Sequence, residues 1–294
     1  MAGSGLGQVS VLVVAHNSAG TLRESLGALH GAGLQVVVVD NASGDDSAAI
    51  AETFAGARVI RSAQNLGFGR ASNLAARHAD RPLLLLLNPD CVAPPAAIEV
   101  LATRLLEHAG LGFVGPQIRK QSGDLDRACL RGDPDPLGAL LYLSHVSRLF
   151  PSNPRLNTYN LTHRDYEREQ ELLNGTAACL MVRADSFAEV GGFDEQFFMY
   201  GEDLDLCRRL REKGYGGRYV PAARVLHVKG ESSRQHSGRM LVEFHRAMWL
   251  YYLKHEAASR PAALNLGVAV GITGFGALRL LANAARRDKR VSAR

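Results

Sequence analysis

Three short apolar runs constrain this 294-residue chain most: VSVLVVA at 9–15, QVVVVD at 35–40 and LLLLL at 83–87. The first two are β-branched and of strand length, so they predict strands buried on both faces. The leucine run is ambiguous in preference, but its length and bounding prolines favour a strand. Helical segments are expected between them. Thr21 and Glu24 fit a capping box, with Leu22, Leu26 and Leu29 at helical spacing behind them. Residues 48–54, 71–78 and 95–107 read as further helices, and 58–61 and 112–118 as strands. Such alternation implies right-handed crossovers and an α/β fold. The expected core is a mostly parallel central sheet with helices on both faces. Ligands of such sheets bind beyond the carboxyl ends of the strands. His16 and Asn17, Asp40 and Asn41, and Asp90 all fall at those ends.

The pattern breaks at 119–172, which is rich in Pro, Asp, Arg and Asn around one apolar island at 137–150. This reads as an excursion carrying one helix, a candidate lid or partner-substrate surface. A strand at 177–182, a helix at 203–213, short strands at 218–220 and 224–228 and an amphipathic helix at 240–255 follow. Three regions are expected: 1–118, the alternating strand-and-helix part; 119–235, holding the excursion and the acidic motif; and 236–294, C-terminal helices and a basic tail.

Hydrophobic residues make up 46% of the chain, enough for a sizeable core. Cys91, Cys129, Cys179 and Cys207 are scattered, without CxxC or zinc spacing, so reduced buried thiols are expected. The start, MAGSGLGQ, has neither a basic nor an apolar segment of a secretory leader. A cytoplasmic protein is therefore expected. The net charge of +5 lies wholly in residues 279–294, which hold six basic side chains and one acid; the other 278 residues sum to zero. A neutral body with a basic tail argues against a nucleic-acid partner and for an anionic surface at the C-terminus. The stretch 262–278 carries no charge. It reads either as an interfacial helix at the inner face of the membrane or as a helix packed on the body through Gly267, Gly271 and Gly274.

Several motifs carry candidate chemistry. NPD (88–90) puts Asp90 at a strand end, where it would ligate a hard divalent cation or simply close an Asx turn. NLGFGRASN (65–73) pairs two glycines with a following helix, which permits close backbone approach to an anion or only a tight turn. Asp40 would accept hydrogen bonds from a base or ribose, or end its strand. His227 would complete a metal shell begun by Asp90, or be structural. In DEQFFMYGEDLDLC (194–207), Glu202, Asp203 and Asp205 crowd one helix start, where acids are ordinarily stabilising. Glu202 and Asp205 share a face at i, i+3, while Asp203 points about 100° away. One acid can then pair with Arg208 or Arg209 while another faces a cleft walled by Phe197, Phe198 and Tyr200.

Taken in order, AHN, VVDN, NLGFGRASN, NPD, GGFDEQFFMYGEDLDLCRR and HVKG resemble the family 2 inverting glycosyltransferases, nearest to their rhamnosyltransferase-like branch. The likeness covers roughly residues 9–233. It implies a GT-A fold, with a Rossmann-like nucleotide-sugar half at 1–118 continued into an acceptor half at 119–235. It also implies donor contacts from Ala15, His16, Asn17, Asp40, Asn65, Gly67, Arg70 and Asn88. Asp90 would stand as the retained acid of a DxD-type motif, with Asn88 in place of its first Asp. Asp90 and His227 would hold Mg²⁺ or Mn²⁺ together with the donor diphosphate. Asp203 would be the catalytic base, with Asn174, Gly175, Tyr200 and Glu202 around the acceptor.

The implied reaction is metal-dependent transfer of a sugar, with inversion, from a nucleoside diphosphate donor to a saccharide or polyprenyl-linked hydroxyl in cell-envelope polysaccharide synthesis. The branch implies a dTDP-linked deoxysugar such as rhamnose, with a UDP sugar as the alternative. Two rivals remain. A sugar-nucleotide nucleotidyltransferase would want a basic glycine-rich loop after the first strand, and AHNSAG has no Lys or Arg. A non-catalytic sugar-nucleotide-binding relative would not be expected to keep Asp90, Asp203 and His227 together.

Overall fold

A computed structural model of the chain describes residues 5–228 and 238–291. The apolar runs form strands where their patterning places them: β1 (Val9–Ala15), β2 (Gln35–Asp40), β3 (Ala57–Arg61) and β4 (Leu83–Leu87). The helices between them are α1 (Ala19–Gly27), α2 (Ser47–Glu52) and α3 (Phe68–Ala76). Every residue of β1 and β4 is buried, as strands covered on both faces require. α1 starts two residues before the expected capping box. Ser18 precedes it, and its first N–H groups are met by the neighbouring loop, Ala19 N–H donating to Asp45 Oδ2 at 2.9 Å.

The chain continues through β5 (Cys91–Val92), α4 (Pro95–Glu107) and β6 (Leu111–Lys120). The excursion after it holds two helices, α5 (Pro136–Leu143) and α6 (Val146–Leu149), where one was expected. Then come β7 (Gln170–Glu171), β8 (Cys179–Arg183), α7 (Ala184–Glu189), α8 (Glu202–Glu212) and β9 (Gly216–His227). β9 unites the two short strands expected there. Its register against β6 slips between Val220 and Arg224, where Pro221 has no N–H for the ladder.

One sheet contains all nine strands, in the order β3-β2-β1-β4-β8-β6-β9-β5, with β7 also on β9. β1, β2, β3, β4, β6 and β9 run one way, and β5, β7 and β8 run the other. Only residues 88–90 separate β4 from β5, yet β5 is the far edge of the order. The sheet therefore curls until its far edge returns beside β4. All four cysteines are free and buried.

α9 (Gly238–His255) and α10 (Ala262–Val291) follow. A small second core, Phe197, Leu204, Ala247 and Tyr251, joins α9 to the body and to α8. α10 carries an apolar stretch, Ala262–Ala284, long enough by length and composition to cross a membrane, with only 6% of it buried. Its contact with α9 runs through Gly276, packed on the His245 ring, and through Asn265, whose Oδ1 accepts from Tyr252 Oη at 2.6 Å. A Cβ at Gly267, Gly271 or Gly274 would meet no atom within 4 Å, so that glycine face is not the packed one. Residues 229–233 of HVKGESS and the tail residue Arg294 lie outside the described residues, as do the side chains of Arg286, Arg287, Lys289 and Arg290.

Candidate active site

The first cluster lies where β1, β2 and α3 meet. Asp40 ends β2 and is buried. Its Oδ2 is 3.4 Å from Ser43 N–H, while Oδ1 is buried with no hydrogen-bond partner among the described residues. An unmet buried carboxylate oxygen costs free energy until a donor reaches it, which suits a base or ribose. His16 Nδ1 donates to the carbonyl of Asn41 at 3.0 Å. Asn17, at φ 51°, accepts from Gly44 N–H at 2.7 Å, tying the loops after β1 and β2 together. Ala15 is buried beside Asp40 in the ladder.

Asn41, left out of the expected contacts, organises the glycine-rich loop. Its Nδ2 donates to Asn65 Oδ1 at 3.1 Å and to Gly67 O at 3.2 Å, and its Oδ1 accepts from Leu66 N–H at 2.8 Å. Gly67 sits at φ 81°, where a Cβ would lie 2.3 Å from Phe198 O. Phe68 N–H donates to that same oxygen at 2.9 Å, which docks the FFMYGED segment onto the start of α3. Arg70 is exposed on α3 and pairs with Glu195 at 3.2 Å. That pair ties α3 to the acidic segment.

The second cluster is built on β5 and β9. Cys91 and His227 are ladder partners, which brings Asp90 against the imidazole. His227 Nε2 lies 3.2 Å from Asp90 Oδ1, and Nδ1 lies 3.2 Å from Asp126 Oδ2, all three groups buried. Burial alone would disfavour a charged imidazole. Asp126 and Asp90, one at each ring nitrogen, outweigh it and push the pKa up to about 11. Asp126 was not anticipated; it precedes a short 3₁₀ turn (Arg127–Cys129) in the excursion, 101 residues before His227.

Ligand atoms of Asp90, Cys91 and His227 lie within 4.8 Å of one another. Burial pushes the Cys91 thiol up to about 11, and a neutral sulfur is a poor partner for a hard cation. A carboxylate plus an imidazole braced by a second carboxylate fits Mn²⁺ or Mg²⁺ that displaces the Nε2 proton and takes its other ligands from phosphate and water. Asn88 lies in the same turn, its carbonyl accepting from Cys91 N–H at 3.0 Å.

The third cluster is the start of α8, where the three acids have three different fates. Asp205 is fully buried. It accepts from Arg209 Nε at 2.7 Å, His255 Nε2 at 2.8 Å and Lys254 Nζ at 2.8 Å. Burial raises its pKa, but these donors outweigh that and hold it at about 2. It anchors α9, as does Asp194 through Lys254 at 2.6 Å.

Asp203 Oδ2 accepts from Arg131 Nη2 at 2.7 Å and from Ala177 N–H at 3.3 Å, and Oδ1 from Leu204 N–H at 2.8 Å. Glu202 is buried with Oε2 unpartnered among the described residues. Burial first, and Asp203 second, push it up to about 8.

Arg131 is the second residue that the sequence did not reveal. Besides Asp203 it donates to the carbonyl of Gly175, and its backbone bridges Asn174. Asn174 is buried, its Nδ2 donating to Asp133 Oδ1 at 2.8 Å. Of the three aromatics before the acids, Phe197 is in the second core and Phe198 lies under the glycine loop, with the Arg239 guanidinium 5.1 Å from its ring. Only Tyr200 is exposed toward a cavity, its ring edge-on to Phe244 at 5.6 Å.

That cavity, of about 1480 Å³, touches Asp126 and Arg131 together with Tyr200 and Gly201, and extends between α5 and α10. The partners of His227 and Asp203 therefore face one space.

A curled α/β sheet with an acidic strand-end site and an acidic helix start is the layout of a GT-A glycosyltransferase. The Glycosyl transferase family 2 model matches residues 10–191, and the Glycosyl transferase family group 2 model matches 166–249. The chain is 30% identical over 231 residues, 74% of each chain, to N-acetylglucosaminyl-diphospho-decaprenol L-rhamnosyltransferase of Mycobacterium tuberculosis. Its fold is similar to S. aureus TarS 1-349 in complex with UDP-GlcNAc (TM-score 0.58, 17% identity, 91% of this chain and 72% of that one). It is also similar to mannosyltransferase PcManGT from Pyrobaculum calidifontis in complex with GDP-Man and Mn²⁺ (TM-score 0.58, 16% identity, 95% and 75%). The chain spans 43% of the longer S. aureus TarS. The chain belongs to glycosyltransferase family 2, in its rhamnosyltransferase-like part, and is an enzyme of that class.

Proposed function

We propose that the chain transfers a deoxyhexose, rhamnose first among them, from a dTDP- or UDP-linked donor to a hydroxyl of a lipid-linked saccharide, with inversion. Cell-envelope polysaccharide synthesis is the setting this implies. The observation that carries the reading is the single cavity touched by both Asp126 and Arg131, since it joins the strand-end site to the helix-start site. The named activity of the mycobacterial relative supports the sugar and the kind of acceptor.

Residues 1–118 would hold the donor. Asp40 Oδ1 would take a hydrogen bond from the base or ribose, and His16, Asn17, Asn65 and Gly67 would shape the pocket around it. Asp90 and His227 would hold Mg²⁺ or Mn²⁺, with Asp126 orienting the imidazole. When bound, such an ion supplies charge neutralisation for the leaving diphosphate. Residues 119–235 would present the acceptor against Tyr200, Asn174 and Gly175. Asp203 would take the proton from the attacking hydroxyl, held in place by Arg131. Glu202, with its free oxygen, would accept a hydrogen bond from the acceptor. The apolar stretch of α10 and the basic tail would hold the protein at the inner face of the membrane.

The test is purified protein with dTDP-rhamnose and a panel of UDP and GDP sugars, with and without an isoprenoid-diphosphate-linked N-acetylglucosamine. Acceptor-dependent release of dTDP, with an inverted anomeric signal by NMR, is expected. Release of no nucleoside diphosphate from any donor overturns the reading.

A further inference from the structure

The 1480 Å³ cavity is larger than a sugar acceptor needs; pockets for drug-sized ligands run about 300–1,000 Å³. Its two ends differ in chemistry. Near Asp126 and Arg131 it is lined by Lys120 and Arg127, for which the described residues show no carboxylate partner. Lys120 is the ladder partner of His227, and Arg127 follows Asp126, so both cations lie beside the strand-end site.

The walls that α5 and α10 give it are apolar. α5 contributes Leu137 and Leu140, both more than 60% exposed in the free protein. α10 contributes Leu264, Val268, Ile272, Phe275 and Leu278, spaced by three and four residues along one face. Gly267 and Gly271 lie on this same face and keep it open. The outer face of α10 carries Leu266 and Val270, 67% and 64% exposed, which do not line the cavity. A helix apolar on both faces and hardly buried lacks two partners. A membrane surface meets only the outer one.

We propose that the inner face of α10 and the facing side of α5 hold the isoprenoid chain of a polyprenyl diphosphate acceptor, with Lys120 and Arg127 receiving its diphosphate. This rests on the lipid-linked acceptor of the preceding reading and locates it in the fold. The occupant follows from the pairing of cations with an apolar trough in one continuous cavity. A diphosphate satisfies the cations, and only a long hydrocarbon satisfies the remainder. Continuity with Arg131 and Tyr200 puts the sugar that the diphosphate carries at the proposed base.

The experiment measures binding of farnesyl diphosphate to the full chain by calorimetry, without donor, beside inorganic pyrophosphate and farnesol. Farnesyl diphosphate is expected to bind at least about tenfold tighter than either fragment, since each buried CH₂ contributes about 0.8 kcal/mol. Gly271→Trp puts an indole into the open trough, and Leu140→Asp puts a negative charge on its opposite wall. Each is expected to weaken farnesyl diphosphate binding about tenfold or more. Leu266→Trp, on the outer face, is expected to leave it unchanged.

Three results would each overturn the proposal: pyrophosphate binding as tightly as farnesyl diphosphate, no farnesyl diphosphate binding, or equal effects of Leu140→Asp and Leu266→Trp. Vesicle binding that farnesyl diphosphate does not compete, combined with no direct binding, would assign both faces of α10 to the membrane. Because the readout uses no donor and no turnover, it stands apart from the transfer assay. Loss of transfer with retained farnesyl diphosphate binding overturns the activity and not the trough.

Discussion

The guanidinium of Arg131 and the carboxylate of Asp203 lie 2.7 Å apart, both largely buried, 72 positions apart along the chain. The pair fixes the rotamer of the acid that is proposed to take the acceptor proton. It also leaves Glu202, the adjacent acid, with a buried oxygen unbonded among the described residues.

Asp203→Asn is expected to lower turnover by about 10²-fold or more, with donor affinity little changed. Steady-state kinetics with a donor-binding measurement checks this. If Asp203→Asn keeps most of its activity while Glu202→Gln is inactive, the proton goes to Glu202.

Asp90→Ala is expected to abolish transfer with the fold retained, and excess chelator to silence the wild type. Asp126→Asn, which alters the brace on the far nitrogen of His227, is expected to weaken Mn²⁺ affinity by about 10–100-fold. Manganese titration followed by electron paramagnetic resonance separates these effects from unfolding. Full activity in excess chelator would sink the metal reading.

Stability should respond to pH in opposite senses at Glu202 and Asp205. Asp205, held at about 2 against an ordinary 3.8, stabilises the fold above its unfolded value. That contribution is lost as pH falls through 2. Asp205→Asn is therefore expected to cost about 3 kcal/mol at pH 7, because it strands buried cations. The gap to wild type should narrow toward pH 2. Glu202 is raised to about 8 from 4.5, so the folded state binds the extra proton and stability falls as pH rises between those values. Glu202→Gln should gain on wild type over that range. Urea midpoints across pH decide both, and a flat difference for either variant refutes its assignment.

Gly67→Ala puts a Cβ at a positive φ and against the Phe198 carbonyl. A loss of about 1–3 kcal/mol is expected, with weaker donor binding as the FFMYGED segment lifts from α3. Unchanged thermal stability would mean that the two segments are not coupled as the contact implies.

A chain ending at residue 260 is expected to lose binding to anionic vesicles while still hydrolysing donor. Full-length binding should weaken as salt rises. Sedimentation with phosphatidylglycerol vesicles checks this. Full-length protein that ignores such vesicles at low salt refutes membrane attachment through α10.

The strands were legible because burial on both faces leaves one apolar run per strand; β1, β2, β4 and α4 begin and end where their patterning predicts. The separate fates of Glu202 and Asp205 were half legible. Helical spacing allowed Asp205 to pair with Arg209, but its other partners sit on α9, fifty residues on. Asp126 and Arg131 were hidden for a physical reason. Their meaning comes from His227 and Asp203, and the segment that brings them there has no period to betray it. Phe197 and Phe198 show the converse. Aromatics beside acids suggested a wall, but one fills a core and the other braces a loop.

The three-residue link between β4 and β5 has a mechanical consequence. The covalent route from one strand to the other is short, while the hydrogen-bonded route passes through β8, β6 and β9. Together they close a ring, and Asp90 is its clasp. A ring of this kind cannot open like a book along its middle without breaking a ladder. On the proposed function, a donor entering and a nucleotide leaving would call on what hangs on the rim, the segment between β6 and β8 and the helices beyond β9, while the clasp would stay shut.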